Sequence, residues 1–319
     1  MRREIFLKAL AALAACGSVP VSARPAANLR MLVPADVGTG WDTTGRALGR
    51  ALQEAGVASR VTYENKGGAA GTLGLAQFIN GAKGDAGALM VMGSSMLGAI
   101  IAGRPPVHLA QATPVARIST ESSVLVLPVN SRFTSMADVI AQLKKDPASV
   151  KWGGGARGSS GHIAAALIAA QVGVDPSRLR YFAFRSARDA TAAMLGANLT
   201  IASGDYGEFS ESIARGRIRP LAVTSGQRLA GIAIPTLREL GIDVEIGDWK
   251  GVYGAPGIRF DQREALIDMV TAALKTGSWQ ESLQKNSWTP ALLTGAAFDR
   301  FIDAQFVALR ATMVKSGMV

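Results

Sequence analysis

The sequence predicts an α/β fold with two lobes, each a mostly parallel sheet flanked by helices, linked by hinge strands. Short apolar runs alternate with segments of helical periodicity along the chain. This alternation restarts near residue 128, which indicates a second lobe. Glycine-rich turns follow several of the predicted strands and lead into predicted helices, as in crossover units that join parallel strands.

The first half of the chain begins with a short apolar run that ends at Pro34. The helix that follows is predicted because Leu48, Ala51, Leu52 and Ala55 recur at helical spacing. The predicted helices in this half are 42–55, 72–79 and 94–101. The predicted strands are 29–33, 60–64, 88–92, 115–119 and 123–129.

The second half repeats the alternation and ends in helices alone. Ser135 caps a predicted helix whose last turn carries Lys144 and Lys145, which suit the helix dipole. The predicted strands are 151–152, 199–203, 219–225 and 252–253. The predicted helices are 135–145, 160–172, 206–215, a short one after Pro235, 261–275, 278–285 and 296–315.

The N-terminus has the pattern of a signal peptide over residues 1–23. A basic start precedes eleven mostly apolar residues, 5–15, which are too few to span a membrane. Val21-Ser22-Ala23 suits cleavage after Ala23, whereas Leu13-Ala14-Ala15-Cys16 resembles a lipobox that would lipidate Cys16. Arg2-Arg3 also resembles a twin-arginine signal. We expect an exported protein, either free in the periplasm or anchored through Cys16.

The composition excludes several classes of protein. Charged residues make up 18% and the hydrophobic set 48% of 319 residues, which is not the composition of a disordered chain. One cysteine cannot form an internal disulfide, and two histidines cannot build a histidine-rich metal site, so we expect no cofactor. The net charge is +10, but the basic residues are dispersed and show no nucleic-acid-binding stripe.

Four glycine-rich turns are the candidate ligand-binding elements of the chain. They lie at 38–40, 67–71, 93–95 and 153–161, each after a predicted strand. Helix N-termini there present unpaired N–H groups and a partial positive charge, which suit a carboxylate or a phosphate. Each turn, taken alone, is also compatible with an ordinary strand-to-helix connection that binds no ligand.

Enzyme motifs are weak or missing. Thr43 stands where the dinucleotide fingerprint needs glycine, and no G-x-x-x-x-G-K-[ST] occurs. Neither His108 nor His162 has a second ligand at metal spacing. Ser159 and His162, three residues apart, leave a serine-type hydrolase open as an alternative, although no orienting acid is evident.

Six motifs in order resemble one family. The segments 33–48 (VPADVGTGWDTTGRAL) and 64–78 (ENKGGAAGTLGLAQF) resemble the two signatures of the tripartite tricarboxylate transporter substrate-binding proteins, also called the Bug receptors. The shorter segments 158–164, 204–209, 235–237 and 249–252 follow in family order. The Gly-Trp-Asp variant is most similar to the tricarboxylate-binding branch.

The resemblance implies a periplasmic receptor with a two-lobed Venus flytrap fold and no catalytic activity. Lobe 1 would comprise 28–127 and 250–319, and lobe 2 would comprise 128–249. The expected ligand is a small organic anion, most specifically a tricarboxylate such as citrate. A dicarboxylate, an amino acid or an aromatic carboxylate is the alternative. A monomer would deliver the ligand to a membrane permease of one large and one small subunit.

The resemblance and the glycine-rich turns give the expected ligand-binding residues. They are Gly38, Thr39, Gly40, Trp41, Asp42, Ala69, Ala70, Thr72, Ser94 and Ser95 from lobe 1, and Ser159, Ser160, His162 and Asp205 from lobe 2. Arg157 and Arg185 are candidates for an additional carboxylate, since arginine binds one through two hydrogen bonds. Each arginine is equally compatible with a solvated loop. Asp36 would repel an anion if it pointed inward.

Overall fold

A computed structural model describes residues 27–319 as a ten-stranded sheet with helices on both faces. The strand order along the main path is β2-β1-β3-β9-β4-β7-β5-β6, and β8 and β10 both pair with β4. The predicted signal peptide, its cleavage site and Cys16 lie outside the described residues. Among residues 27–319, no helix combines the length and the hydropathy that crossing a membrane requires.

The strands alternate with helices as the sequence predicts. The strands are β1 (Ala27–Val33), β2 (Ala58–Asn65), β3 (Ala88–Gly93), β4 (Thr113–Pro128), β5 (Lys151–Gly154), β6 (Arg180–Ala183), β7 (Ile201–Asp205), β8 (Ile218–Val223), β9 (Gly247–Gly254) and β10 (Thr289–Thr294). The helices are α1 (Gly40–Glu54), α2 (Thr72–Gly81), α3 (Ser94–Gly103), α4 (Met136–Lys145), α5 (Ser160–Gln171), α6 (Ala187–Leu195), α7 (Tyr206–Ala214), α8 (Phe260–Ala273), α9 (Gly277–Asn286) and α10 (Gly295–Lys315).

The predicted α/β class is confirmed, and the sheet is mixed. Strand β1 pairs in parallel with β2 and β3, and β5 pairs in parallel with β6 and β7. The central strands β4 and β9 are antiparallel to their neighbours. Parallel strands therefore lie at the two ends of the sheet, and antiparallel strands join them.

Strand β4 is one continuous element where the sequence predicted two. Its first part pairs with β9 as far as Ser122, and its second part pairs with β7 and β8 from Ser123 onward. Ser119 and Ser123 look like a polar interruption in the sequence, but both are fully buried. Pairing with neighbouring strands satisfies their backbone, so the polar segment does not end the strand.

The chain crosses between the two halves of the sheet at two adjacent places. One is the step from Ser122 to Ser123, and the other is the step into β9 after Ile246. Thr224 lies between them, because its Oγ1 accepts from the Ser123 N–H at 3.1 Å and donates to the Ile246 carbonyl at 2.7 Å. We propose these crossings as the lobe boundaries and define lobe 1 as 27–122 and 247–319, and lobe 2 as 123–246. The predicted boundaries at 128 and 250 stay a prediction.

Two strands were not predicted, and both have largely exposed sequences. In β6 the residues other than Tyr181 are exposed, and β10 contains Pro290 and has no fully buried residue. Such strands lack the apolar run by which a buried strand is recognised. The expectation that the chain ends in helices alone is therefore wrong, because β10 separates α9 from α10 and pairs with β4.

Each lobe buries its sheet between two layers of helices. In lobe 1, one face packs on α1, α8 and α9 and the other on α2, α3 and α10. In lobe 2, one face packs on α4 and α5 and the other on α6 and α7. This arrangement leaves the strand ends and the helix N-termini of the two lobes facing each other.

The lobes also touch away from the crossings. Helix α10 of lobe 1 contributes Met313 and Leu309 to an apolar cluster with Ile163 of α5. Gly98 in α3 lies directly against the backbone of Gly158, which has a φ of +87° and precedes α5. Only a residue without a side chain fits at Gly98, because a Cβ there would overlap the Gly158 carbonyl oxygen.

This contact predicts that Gly98→Ala destabilises the protein. The added methyl group has no space unless the lobes separate, and overpacking of this kind lowers the free energy of unfolding by about 1–3 kcal/mol. Gly103→Ala in the same helix is the control, because its Cβ would meet nothing within 4 Å. Urea unfolding measures both variants, and equal stability of the two would contradict the prediction.

Candidate functional site: the cleft between the lobes

A cleft of about 610 Å³ lies between the lobes. The N-termini of α1 and α3 reach it from lobe 1, and those of α5, α6 and α7 reach it from lobe 2. Its wall includes Asp36, Thr39, Gly40, Trp41, Gly67–Gly71, Ser95, Ser159, Ser160, Arg185, Ser203, Asp205, Glu208, Asp248 and Lys250. The cleft therefore lies where an α/β sheet usually binds ligands.

The N-terminus of α1 already holds a carboxylate from the other lobe. Thr39, the N-cap residue, makes no side-chain cap. Instead, the Gly40 N–H donates to Glu208 Oε1 of α7 at 3.0 Å, across the cleft. An α-helix begins with N–H groups that have no partner within the helix, and these favour an anion. The structure thus shows the first turn of α1 binding a carboxylate.

The turn before α2 has an unusual backbone. Gly68, Ala69, Ala70 and Gly71 have φ values of +111°, +47°, +55° and +91°. Alanine rarely adopts this left-handed conformation, and such strain is concentrated at functional sites. A Cβ at Gly71 would lie 2.7 Å from the Trp41 ring, so the turn packs tightly beside the α1 N-terminus. Together the turn and α1 form the lobe 1 wall.

The lobe 2 wall is built around the start of α5. Ser159 Oγ caps this helix by accepting from the His162 N–H at 3.4 Å, and Ser160 Oγ lies 3.1 Å from Ser123 Oγ. His162 Nδ1 accepts from the Gly158 N–H at 3.1 Å, and the ring lies against Tyr181 with centroids 4.1 Å apart. Burial, and then the charge of Arg157, lowers the pKa of His162 to about 4, so this histidine is neutral.

These contacts do not form a serine–histidine dyad. The backbone of His162, rather than its ring, contacts Ser159 Oγ, and the ring nitrogen Nδ1 is already bonded to Gly158. A nucleophilic serine needs a base within hydrogen-bond reach of its hydroxyl. The geometry therefore gives the hydrolase alternative no support.

A buried lysine lies at the floor of the cleft, where the two hinge strands meet. Lys250 of β9 is 2% exposed, and its Nζ lies 2.6 Å from Asp248 Oδ2, 3.3 Å from Asp205 Oδ2 and 3.5 Å from Glu121 Oε1. Burial lowers the pKa of Lys250, but the three carboxylates outweigh it and hold the pKa well above its usual value. Because Asp205 belongs to lobe 2, the Lys250–Asp205 pair joins the lobes.

Acidic groups also occupy the N-terminus of α3 and the buried side of the cluster around Lys250. Asp248 Oδ1 accepts from the Ser94 N–H at 3.0 Å and contacts the Ser94 hydroxyl, so the N-terminus of α3 is already occupied. Burial raises the pKa of Glu121 well above its usual value, partly offset by Lys250. Glu121 therefore holds a proton more readily than an exposed glutamate does.

Glu208 differs from the other acids because solvent in the cleft reaches it. Its side chain is exposed to that solvent, yet atoms of both lobes surround it. Partial desolvation, and then the negative charge of Asp205, raises the pKa of Glu208 to about 7, although Lys250 and the Gly40 N–H act in the opposite direction. Its exposure to the cleft makes it available to a ligand.

The structure brings most of the predicted site residues to the cleft. Those that line it are Thr39, Gly40, Trp41, Ala69, Ala70, Ser95, Ser159, Ser160, Arg185 and Asp205. Gly38, Asp42, Thr72, Ser94, Arg157 and His162 lie behind or beside this wall. Asp36, which would repel an anion if it pointed inward, lines the cleft and is exposed. That any of them binds ligand stays a prediction.

Three of the residues set back from the cleft support its wall. Asp42 is buried, accepts from the Gly38 N–H at 2.9 Å and pairs with Arg46. Burial raises its pKa, but these bonds and one from Asn65 outweigh it, so Asp42 stays ionised. Thr72 Oγ1 donates to the Ala69 carbonyl at 2.9 Å, which fixes the strained turn. Their role is to hold the two lobe 1 elements in position.

The two arginines differ in what they contact. Arg185 lines the cleft with its side chain 81% exposed, and its guanidinium lies 3.6 Å from Asp189. Arg157 is exposed beside the cleft. Both are therefore solvent-facing charges.

Sequence reasoning missed Glu208, Lys250, Asp248 and Glu121 as site residues. A signal for Lys250 exists, since it interrupts the apolar run Trp249–Tyr253 of a buried strand, where an unpaired lysine is very rare. Glu121 carries no such signal, because its neighbours are Thr120 and Ser122, and Glu208 carries none, because an acid in the first turn of a helix is ordinary. In residues 27–319, no group of three or more histidine, cysteine or acidic side chains is arranged to hold a metal ion.

A family model matches residues 46–317 and is described as the tripartite tricarboxylate transporter family receptor. Several solved structures share the fold at 18–20% identity. BugD, a periplasmic binding protein, has a TM-score of 0.80 and covers 92% of this chain and 99% of its own. MatC from Rhodopseudomonas palustris with bound malate has a TM-score of 0.77, covering 91% and 99% at 18% identity. The R. palustris protein Rpa4515 with adipate has a TM-score of 0.82, covering 92% and 98% at 20% identity.

The lysine cluster predicts that Lys250→Met strongly destabilises the protein. Methionine fills the space but leaves Asp205 and Asp248 buried without a counterion, and breaking a buried pair in this way costs about 3–5 kcal/mol of unfolding free energy. The loss should be largest near neutral pH and smaller in acid, where the carboxylates bind protons. Urea unfolding at pH 5 and pH 7.5 measures it.

Lys83→Met is the matched control, because Lys83 is exposed in a loop. We expect its unfolding midpoint to stay within experimental error of the unmodified protein at both pH values. A Lys250→Met variant as stable as this control would show that the cluster does not hold the lobes.

Proposed function

Since the chain belongs to the tripartite tricarboxylate transporter receptor family, whose members are periplasmic solute-binding receptors rather than enzymes, we propose that it captures a small organic carboxylate in the cleft between its lobes. One carboxylate of the ligand binds to the first turn of α1 and to the Gly67–Thr72 turn of lobe 1. The start of α5, with Ser159 and Ser160, faces the same ligand from lobe 2.

The observation that supports this proposal is the Gly40–Glu208 hydrogen bond. The Gly40 N–H at the start of α1 donates to a carboxylate, so the same group suits the carboxylate of a solute. Trp41 and the strained turn close the site on one side. These donors are backbone groups, so they bind the anion without an arginine or a lysine.

Binding works by closure of the lobes. The lobes connect through only two adjacent crossings, so a small rotation there opens or closes the cleft. A ligand that contacts both walls stabilises the closed form relative to the open form. The closed form is the one we propose to dock on a membrane permease of one large and one small subunit.

Charge in the cleft bears on which acid binds. Citrate, the predicted tricarboxylate, would bring up to three negative charges next to Asp36, Asp205 and Glu208, while Lys250 is already neutralised by its own acids. This balance favours the second candidate, a dicarboxylate, over citrate. Two proteins of the same fold contain malate and adipate. Arg185 is the remaining cation on the cleft wall that can meet the far carboxylate.

The proposed location is the periplasm. The sequence of residues 1–23 has the pattern of an export signal, and the family consists of periplasmic binding proteins. Mass spectrometry of the N-terminus tests whether cleavage follows Ala23 or leaves a lipidated Cys16.

Isothermal titration against four acids tests the proposed function. Citrate, malate, glutamate and nicotinate represent the tricarboxylates, dicarboxylates, amino acids and aromatic acids. We expect saturable binding of one molecule per chain, strongest for malate because it carries fewer charges than citrate past the acidic residues of lobe 2. An absence of saturable heat with all four acids would contradict the proposal.

Gly40→Pro tests the position of the ligand carboxylate. Proline suits the first position of a helix, and Thr39 before it has φ −83° and ψ 171°, which proline allows. The change therefore removes the Gly40 N–H with little effect on the fold, and a lost charge-assisted hydrogen bond costs about 1.5–3 kcal/mol. Because the unliganded variant also lacks the Gly40–Glu208 bond, part of this cost cancels, and we expect about 3- to 10-fold weaker binding of malate in the titration.

Gly40→Ala is the matched control for that variant, because it adds a side chain but keeps the N–H. A Cβ at Gly40 would lie 3.4 Å from Glu208 Oε1, an ordinary contact distance. The proline variant should bind malate at least about threefold more weakly than the alanine variant. Equal affinities would place the ligand carboxylate elsewhere.

A further inference from the structure

We propose that Glu208 is a specificity-determining residue that takes up a proton when a ligand carboxylate replaces it at the N-terminus of α1. The inference rests on the proposed function and deepens it. Glu208 accepts from the Gly40 N–H that the ligand carboxylate needs, and it must leave that N–H for the ligand to bind. After it leaves, it stays beside the ligand and acts as a hydrogen-bond donor to it.

The geometry supports this exchange. Glu208 lies in the first turn of α7 in lobe 2 and reaches across the cleft, so its bond to Gly40 exists only when the lobes are close together. A Cβ built on Gly40 would lie 3.4 Å from Glu208 Oε1 and 3.6 Å from Asp205 Oδ2. Two carboxylates of lobe 2 therefore already face the donors that a ligand carboxylate needs. An anionic ligand enters a space bounded by acids.

No charged group beside Glu208 is left to neutralise an additional anion there, since Arg185 lies elsewhere on the cleft wall. On the strands packed against α7, the charged groups near Glu208 are Asp205, Glu121, Asp248 and Lys250, and the single lysine is already bound by the acids. On the lobe 1 side they are the exposed Asp36 and the Asp42–Arg46 pair. The other helices in contact with α7 carry Arg188 and Asp189 on α6 and Glu281 and Lys285 on α9, and in the described chain none of these forms an ion pair with Glu208.

The charges around Glu208 decide whether its carboxyl group is protonated. Two ionised carboxylates at hydrogen-bond distance repel each other, whereas a protonated and an ionised carboxyl form a strong hydrogen bond. Partial desolvation and Asp205 already bring the pKa of Glu208 to about 7, so protonation is accessible near neutral pH. A ligand anion at Gly40 raises that pKa further. The proton comes from the solvent and resides on the Glu208 carboxyl, which then donates to the ligand carboxylate.

The direction of the pH dependence follows from this shift. Below about pH 7 Glu208 is largely protonated before binding, so the ligand meets no additional charge. Above about pH 7 it is ionised in the free protein and binding requires a proton, so affinity falls by up to tenfold per pH unit. Proton uptake on binding is therefore small at pH 6 and approaches one proton per ligand at pH 8.

Titration calorimetry in buffers of different ionisation enthalpy measures this uptake directly. The probes are malate, citrate and glutamate at pH 6, 7 and 8. For the unmodified protein we expect malate binding to weaken as the pH rises and to take up a proton at pH 8. Glu208→Gln keeps an amide donor that cannot ionise, so its malate affinity should vary less than threefold across this range, with no proton uptake.

Glu211→Gln is the matched control, because Glu211 lies on the exposed side of the same helix and pairs only with Arg215. It should bind malate and take up protons as the unmodified protein does. Binding of malate without proton uptake, or uptake that persists in Glu208→Gln, would overturn the inference and leave the proposed function intact. Binding of glutamate alone, lost in Glu208→Gln, would also overturn it, because Glu208 would then act as an ionised partner of an ammonium group. A lack of binding to all three acids would overturn both proposals.

Discussion

The burial of Lys250 among carboxylates is the constraint on which the two-lobed arrangement depends. A lysine inside a protein is tolerated only when acids compensate its charge, and here the acids come from three strands. Glu121 and Asp248 lie beside the two hinge crossings, and Asp205 ends a strand of lobe 2. The cluster therefore fixes the place where β4, β7 and β9 meet. Because that place is also the floor of the cleft, the hinge and the binding site share one set of charges.

The cleft is suited to an anion although its charged side chains do not make it positive. The chain has a net charge of +10, yet the side chains that face the ligand position from lobe 2 include two acids, and the lysine there is neutralised. In the proposed function, attraction for a carboxylate comes from helix N-termini and from a strained turn, which contribute partial charges only. The acids then limit how many negative charges a ligand can carry. Affinity and selectivity thus have different physical sources in the same cleft.

Much of the fold could be predicted from the sequence, because the spacing of apolar residues within a short segment indicates a helix or a strand. The spacing of Leu48, Ala51 and Leu52 indicates α1, and the glycine-rich turns at 38–40 and 67–71 indicate the lobe 1 wall. The strands β6 and β10 escape this reasoning because edge strands bury little apolar surface. The continuity of β4 also escapes it, since pairing partners far along the chain keep its polar segment extended.

The charged part of the site could not be predicted in the same way. Glu121, Asp205 and Lys250 are far apart in the sequence, and only the meeting of β4, β7 and β9 gives them a common environment. The bond between Gly40 and Glu208 joins residues 168 positions apart and crosses the cleft. Sequence patterns identify the donors at the start of α1, whereas the group that competes for them depends on how the lobes meet.

A crystal structure of the protein with malate tests the central claim most directly. The account predicts that a malate carboxylate accepts a hydrogen bond from the Gly40 N–H between the lobes, and that Glu208 Oε1 has moved beyond hydrogen-bond distance of that nitrogen. Malate bound outside the cleft, or bound inside it with the Gly40–Glu208 bond intact, would contradict the account.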